Sequence, residues 1–327
     1  LRQETILPGF KNSQMLCVVD SIDLEELSIL NPTGIHYNDG FLVFPSIQGR
    51  QELQLLDMME NKVHTLQIVG DGPDEVQSYQ VVRSDEFSHC IHLTDINSGK
   101  ILELNLDSLR EGVILRPYMS GYTPDRRRVF NSFENENYMF FNGIFEDGRF
   151  LSFHKKSRNS VFYDTFPENE NTESLSPIMK SIVFNGTMMA GNEQHLATAF
   201  YGMIDFFQIE ENGVLAPLAN NYYFFPEFNA NRGNGVAVSF SSENKEGFRD
   251  IRSGGDSVYL LFSNKNFKED GYGALECPYL LSYDWLGNPK DEYLLEKPLY
   301  AFSLSDNKLY GLSREVEPKV YIYELPE

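Results

Sequence analysis

The chain has 327 residues, with 27 Lys and Arg against 48 Asp and Glu, for a formal net charge of −21. That balance argues against nucleic acid as a partner, because neutralising phosphates needs clustered Lys and Arg, and against attachment to an anionic lipid surface by charge. No apolar run reaches the ~18 residues that a membrane-crossing helix needs, and 1 Trp among 18 Tyr and 25 Phe cannot supply a Trp-Asp signature to every repeat.

Helical periodicity is nearly absent, and short apolar runs bounded by Gly, Asn, Asp and Pro read as strands. Gln14 to Val19 is an orphan strand ahead of the first repeat, and Leu24 to Leu30 reads as a turn or a single helical turn. The first unit covers about Gly34 to Gly72, with strands over 40–44, 52–57 and 62–69. The second covers about Val76 to Met119, with strands over 79–82, 89–95 and 100–106. The third runs from Val129 to Phe166 with strands over 129–133, 138–145, 149–154 and 160–166. The fourth runs from Ile178 to Pro226 and ends in Tyr222-Tyr223-Phe224-Phe225. The fifth, Phe248 to Leu295, holds strands over 257–262 and 279–284. The sixth begins at Tyr300, holds strands over 301–304, 308–312 and 320–323, and stops one strand short.

A strand, Asp-led turn and strand recurring at roughly 40–55 residues in an all-β chain predicts a radial array of small sheets in which each packs on its neighbours. The expectation is therefore an all-β, six-bladed β-propeller in one domain over 1–327, closed by the N-terminal strand completing the last blade. An unclosed ring would expose sheet edges. Seven blades is the runner-up, because Val236, Val238 and Phe240 alternate inside the otherwise loop-like stretch Asn229 to Gly247. Glu168 to Pro177 reads as a second long loop.

The turn Gly70-Asp71-Gly72-Pro73-Asp74-Glu75 follows the outer strand of the first unit. With the repeat rhythm, it resembles the TolB-like or NHL-like six-bladed propellers found as exported proteins of Gram-negative bacteria. The resemblance implies a protein of the periplasm or cell surface, lipid-anchored in one version through a segment removed ahead of Leu1. It carries over no catalytic residues. The turn itself lacks the Lys-Ser/Thr of a phosphate loop, so its glycines are read as turn-formers.

Asp57, Asp95 and Asp284 share one register before turns and are expected to cap them rather than hold a cation. His89 and His92 fall on opposite faces of a strand and are not expected to share a metal. Cys17, Cys90 and Cys277 show no paired-cysteine spacing and are expected to be buried thiols. The informative outliers are basic. Arg126, Arg127 and Arg128 cluster beside Tyr118 and Tyr122 ahead of the third unit, and Arg249 and Arg252 open the fifth. Arginine at the mouth of a central channel can grip a carboxylate or sulfate, while Tyr118, Tyr122 and Tyr272 can stack a sugar. The same arginines can instead pair with Asp and Glu and lock blades together.

Two functions follow. The first is a non-enzymatic, monomeric binding protein of the cell envelope whose ligand is a glycan, a small anion or a protein partner, with Arg126, Arg127, Arg128, Arg249, Arg252 and Tyr122 as candidate ligand-binding residues and no metal assigned. The second is a calcium-dependent lactonase- or lyase-like hydrolytic enzyme with the ion on the axis, held by oxygen ligands from several blades. The absence of Gly-x-Ser-x-Gly leaves no nucleophile elbow.

Overall fold

The computed structural model describes residues 6–11, 13–46, 52–81, 89–111, 118–231, 237–305, 307–314 and 317–326. It is a six-bladed β-propeller. Blade one pairs His36–Asn38, Phe41–Pro45, Glu52–Asp57 and Lys62–Gln67. Blade two pairs Tyr79–Val81, Cys90–Asp95, Lys100–Asn105 and Tyr118–Tyr122. Blade three pairs Val129–Glu134, Tyr138–Gly143, Phe150–His154 and Ser160–Tyr163. Blade four pairs Met188–Gly191, His195–Phe200, Gly202–Ile209 and Leu215–Phe224. Blade five is built from Lys245–Gly254, Ser257–Asn266, Cys277–Asp284 and Pro289–Leu299, and blade six from Ala301–Ser305, Lys308–Ser313 and Lys319–Glu324.

Closure uses the N-terminal segment, and splits it. Val18–Asp23 pairs antiparallel with Lys319–Glu324, with Ser21 opposite Tyr321, and supplies the fourth strand of blade six. Ser13–Leu16 pairs in parallel with Pro289–Leu299 as a fifth strand on blade five. Cys17 is the crossover between the two and is exposed, not buried as the sequence suggested; Cys90 is half-buried and Cys277 buried, and all three are free thiols. Seven blades is corrected to six: the alternating stretch behind that alternative forms a separate two-stranded hairpin, Phe228–Asn231 with Ala237–Phe240. Val236, like Val82 and Leu1, lies outside the described residues.

Apolar clusters fill each seam between blades. Leu55 and Leu93 meet between blades one and two, Ile101 and Phe141 between two and three, and Phe140 and Phe207 between three and four. Phe206 and Tyr283 meet between four and five, Leu280 and Phe302 between five and six, and Leu312 and Leu42 between six and one. The ring is thus one continuous band of sheet-on-sheet burial, built largely from leucine and aromatic side chains.

The turn aspartates act locally. Oδ1 of Asp57 accepts the N–H groups of Met59 and Glu60 at 2.8 and 3.0 Å, and Oδ1 of Asp284 those of Leu286 and Asn288 at 2.9 and 2.8 Å. Asp95 does the same with Asn97 and Ser98 and also accepts from Gln77. Burial alone would raise the Asp95 carboxyl; these hydrogen bonds outweigh it and hold it below its ordinary value. The Gly70 to Glu75 turn closes on itself, Gly72 N–H donating to Glu75 Oε2 at 2.7 Å, with Lys100 Nζ donating to the carbonyls of Gly72 and Glu75. It links blade one to blade two, with its Gly72 N–H taken up by the Glu75 carboxylate.

Three excursions rise from the end of the ring where the innermost strands begin. A helix, Pro177–Val183, stands at the end of the expected loop 168–177 and takes up the start of what the sequence suggested was the fourth strand-built unit, from Ile178. The hairpin at 228–240 packs Phe228, Val238 and Phe240 against Phe200 and Tyr201. A short helical excursion, Phe267–Asp270 and Gly271–Leu275, interrupts blade five and carries the exposed Tyr272 against Phe267. Together they build up one side of that end, over blades four and five.

Candidate functional site

The first strand of each blade is innermost, and those of blades three and four, four and five, five and six, and six and one touch around the axis. At the end where these strands begin lies a cavity of about 210 Å³ whose wall comes from blades one, two, three, five and six, through His36, Gln80, Ser132, Arg249 and Ala301. A cavity lined from five innermost strands is the mouth of the central shaft.

Arg249 reaches this mouth through a backbone irregularity. In the pairing of Lys245–Gly254 with Ser257–Asn266, Phe248 faces Phe262 and Asp250 faces Leu261, so Arg249 is one extra residue on its strand. Such a bulge bends the strand and re-aims a side chain. Just before it, Gly247 has φ +67° and Phe248 N–H donates to Tyr201 O at 2.7 Å, tying the bulge to blade four. Arg249 Nη1 pairs with Glu246 Oε2 at 2.9 Å. Burial raises the Glu246 carboxyl above its usual value, with Arg249 opposing.

Arg252 is committed differently. Its Nη1 pairs with Asp250 Oδ1 at 2.7 Å and donates to Ile251 O, and Nη2 donates to Ile35 O of the connector into blade one at 3.1 Å. Asp250 Oδ2 accepts Phe302 N–H of blade six at 3.0 Å. The pair therefore stitches blades five, six and one together, presenting the guanidinium to the cavity as a fixed wall.

The other predicted residues lie elsewhere. Tyr118 and Tyr122 belong to the outermost strand of blade two, and Arg126 sits over the Tyr122 ring at 4.3 Å. Arg127 bridges Asp125 and Asp147 at 3.6 and 2.9 Å and covers Phe162 of the outer strand of blade three. Arg128 is exposed. None of Tyr122, Arg126, Arg127 and Arg128 lines the axial cavity. The two arginine groups are thus not brought together: one is at the perimeter and one on the axis.

Sequence reasoning missed Ser132 and Gln80. Both lie on innermost strands and line the cavity, and Ser132 is 3% exposed. The described residues give no hydrogen-bond partner to Ser132 Oγ, Gln80 Nε2 or Arg249 Nε. A polar residue on the first strand of a blade, where neighbouring strands are apolar, is the signal that marks them.

As a cation cage the lining is poor. Calcium takes six to eight oxygens, whereas among the described residues the lining offers one carboxylate, Asp250, already engaged by Arg252 and two backbone N–H groups, with two guanidinium groups beside it. Away from the axis, Asp39, His89 and Asp107 gather between blades one and two with donor atoms within 4.8 Å of one another, but Arg110 already pairs with Asp39 at 2.5 Å.

Six sheets fanned about a lined axial mouth define a six-bladed β-propeller. The sequence matches the profile described as TolB-like 6-blade propeller-like over residues 10–307, and the chain belongs to that family. No curated protein matches it. Among solved structures it is similar to a member of the DUF4221 family from Bacteroides vulgatus, with 11% identity, TM-score 0.56, and 94% of this chain and 97% of that one covered. It is also similar to a protein described as exported from Bacteroides fragilis, with 12% identity, TM-score 0.55, and 97% and 100% covered. These identities carry the fold alone.

Proposed function

We propose that this chain is a non-enzymatic binding propeller of the cell envelope, taking its ligand at the axial mouth beside Arg249 and Arg252. The observation that supports this most is the cavity itself: five blades converge on it, and a bulge turns an arginine into it. Rigid scaffolds that aim a few polar groups into a concave site are the usual architecture of ligand recognition. The donor set of the lining argues for an anionic or oxygen-rich ligand over an axial metal, which favours binding over the calcium-dependent hydrolytic reading. A location in the periplasm or at the cell surface belongs to the same proposal, drawn from the family and from the similarity to a protein described as exported.

The test is a thermal-shift screen of envelope metabolites and glycan fragments against the wild type and Arg249→Ala. Ligands of the axial mouth raise the wild-type melting temperature by mass action and lose that effect in the variant. Hits that act equally on both proteins would remove the axial mouth as the site. A melting temperature raised by Ca²⁺ and lowered by a chelator would return the hydrolytic reading.

A further inference from the structure

Charge is spread unevenly around the ring. Blade three with the connector that leads into it, residues 123–163, holds seven Lys and Arg against five Asp and Glu, in a chain whose net charge is −21. Its inner charges are spent on one another: Arg149 on Asp205, and Glu134 on His92 and Lys155. Arg127 takes up Asp125 and Asp147. Four cations remain at the surface, Arg126, Arg128, Lys156 and Arg158, all exposed and none with a carboxylate partner among the described residues. Two exposed acids, Glu136 and Glu146, stand against them.

The four cations flank one strand. Ser160–Tyr163 is the outer edge of the blade, and Lys156 and Arg158 lie in the turn that leads into it. Arg127 covers Phe162 at 4.8 Å and so brings its neighbours Arg126 and Arg128 to the other end. Four strand residues separate the two ends by about 10 Å, at ~3.3 Å per step. Arg126 lies over Tyr122 at 4.3 Å and Arg158 over Phe153 at 5.6 Å. Both have left-handed backbone, φ +52° and +59°, which a non-glycine residue keeps only where its surroundings fix it. Thr123 O accepts Arg126 N–H at 3.0 Å, and His154 O accepts Arg158 N–H at 2.8 Å. A guanidinium lying on a ring keeps its in-plane N–H fork open, and that fork matches carboxylate and sulfate oxygens.

The partner that fits is long, anionic and hydrophilic. One small anion reaches only one end of the strand. Among the described residues no large apolar side chain is exposed between Met119 and Leu218. The face therefore lacks the apolar anchor on which a protein interface centres and the open rings on which single-stranded bases stack. Duplex DNA, with a charge every ~1.7 Å, brings far more negative charge against this acidic chain than four cations offset. A glycan with one carboxylate or sulfate per repeat meets both ends without that surplus.

We infer that the outer edge of blade three is a docking strip for an acidic polysaccharide, gripped at one end by Arg126 and Arg128 and at the other by Lys156 and Arg158. The strip lies on the perimeter and is independent of any ligand at the axial mouth.

The experiment is calorimetric titration of the full chain at low salt, where such contacts are least screened, with polygalacturonate, heparin, monomeric D-galacturonate and duplex DNA. It is repeated on Arg128→Glu and Lys156→Glu, which change exposed, unpaired side chains, and on Lys62→Glu of blade one as a control. At least one acidic polysaccharide is expected to bind, polygalacturonate marking carboxylate recognition and heparin sulfate recognition, and the monomer to give no heat. Each of Arg128→Glu and Lys156→Glu is expected to weaken the polymer at least about five-fold, and Lys62→Glu less than about two-fold. No binding of either polysaccharide overturns the strip, as does an affinity indifferent to one of the two variants or equally reduced by Lys62→Glu. A monomer that binds as tightly as the polymer, or DNA that binds more tightly, overturns it too. Loss on Arg249→Ala in place of these variants would move the polymer to the axial mouth and likewise overturn the strip.

Discussion

His92 of blade two and Glu134 of blade three are hydrogen-bonded across their seam through Nδ1 and Oε1, and both are largely buried. On its other side His92 faces Glu103 at 3.3 Å, while Glu134 also meets Lys155 at 3.0 Å, and the Cys90 thiol donates to Glu103. Burial pushes the imidazole down, but the two carboxylates outweigh it and raise it above its ordinary 6.5. Burial likewise pushes Glu134 up, and His92 and Lys155 together bring it below its usual value.

A stability prediction follows with a definite sign. A group whose folded pKa is raised contributes fully below its unfolded value and loses that contribution as pH rises through the folded value. His92→Gln should therefore cost the most near pH 6, by about 2–3 kcal/mol given that Lys155 still accompanies Glu134, and progressively less as pH climbs past the raised value. Urea unfolding of both proteins between pH 5.5 and 9 reads this. A difference that is flat, or that widens with pH, contradicts the clamp.

Arg149 and Asp205 form a second buried pair, between blades three and four, at 2.6 Å, with the Tyr222 hydroxyl on the other carboxylate oxygen. Arg149 also lies over the rings of Phe150 and Phe184 at 4.6 and 5.5 Å. Burial first, then the Asp205 charge, raises the Tyr222 phenol well above its ordinary value. Arg149→Met should destabilise by about 3–5 kcal/mol, because it strands a buried carboxylate. Adding Asp205→Asn, which keeps an acceptor for Tyr222, should recover at least about 1 kcal/mol. Additive losses in the double-mutant cycle would show that the two residues are not coupled.

Ring closure is testable by removing its strand. Deleting residues 1–23 takes away both Ser13–Leu16 and Val18–Asp23 and bares the edge of Lys319–Glu324. An open strand edge templates association. The shortened chain is expected to lose its single cooperative melt and to aggregate on size-exclusion chromatography. A monomer with the wild-type melting temperature would mean that the ring holds without its latch.

The sequence shows the blades because strand alternation and Asp-led turns are local: the strand 52–57 is found with its bounds intact, and Asp57, Asp95 and Asp284 do what their position before a turn dictates. The split of the N-terminal segment at Cys17 is not local, since it depends on two blades offering edges side by side. The helix at 177–183 escapes notice because it is seven residues long and held by tertiary bonds, Ser181 Oγ donating to Gly143 O. At the site, Arg249 and Arg252 stand out as basic residues in an acidic chain, but so do Arg126, Arg127 and Arg128. Only the radial order of strands separates axis from perimeter, and that order is not written in residue types. Ser132 and Gln80 go unnoticed for the same reason.

The bulge that presents Arg249 depends on Gly247, and two glycines separate its causes. Gly247 has φ +67° and a Cβ there would press into the carbonyl of Tyr201; Gly255, in the turn that follows the same strand, has φ +59° and open space around the equivalent position. Both glycine-to-alanine changes incur the left-handed backbone cost, about 1 kcal/mol. Gly247→Ala adds the collision with blade four, which the chain can relieve only by moving the strand that carries Arg249. It should therefore cost about 2–3 kcal/mol more than Gly255→Ala, and it alone should abolish ligand-induced thermal shifts that depend on Arg249. Equal destabilisation by the two substitutions would show that the strand yields at Gly247 without strain, and that the bulge is not what fixes the arginine at the mouth.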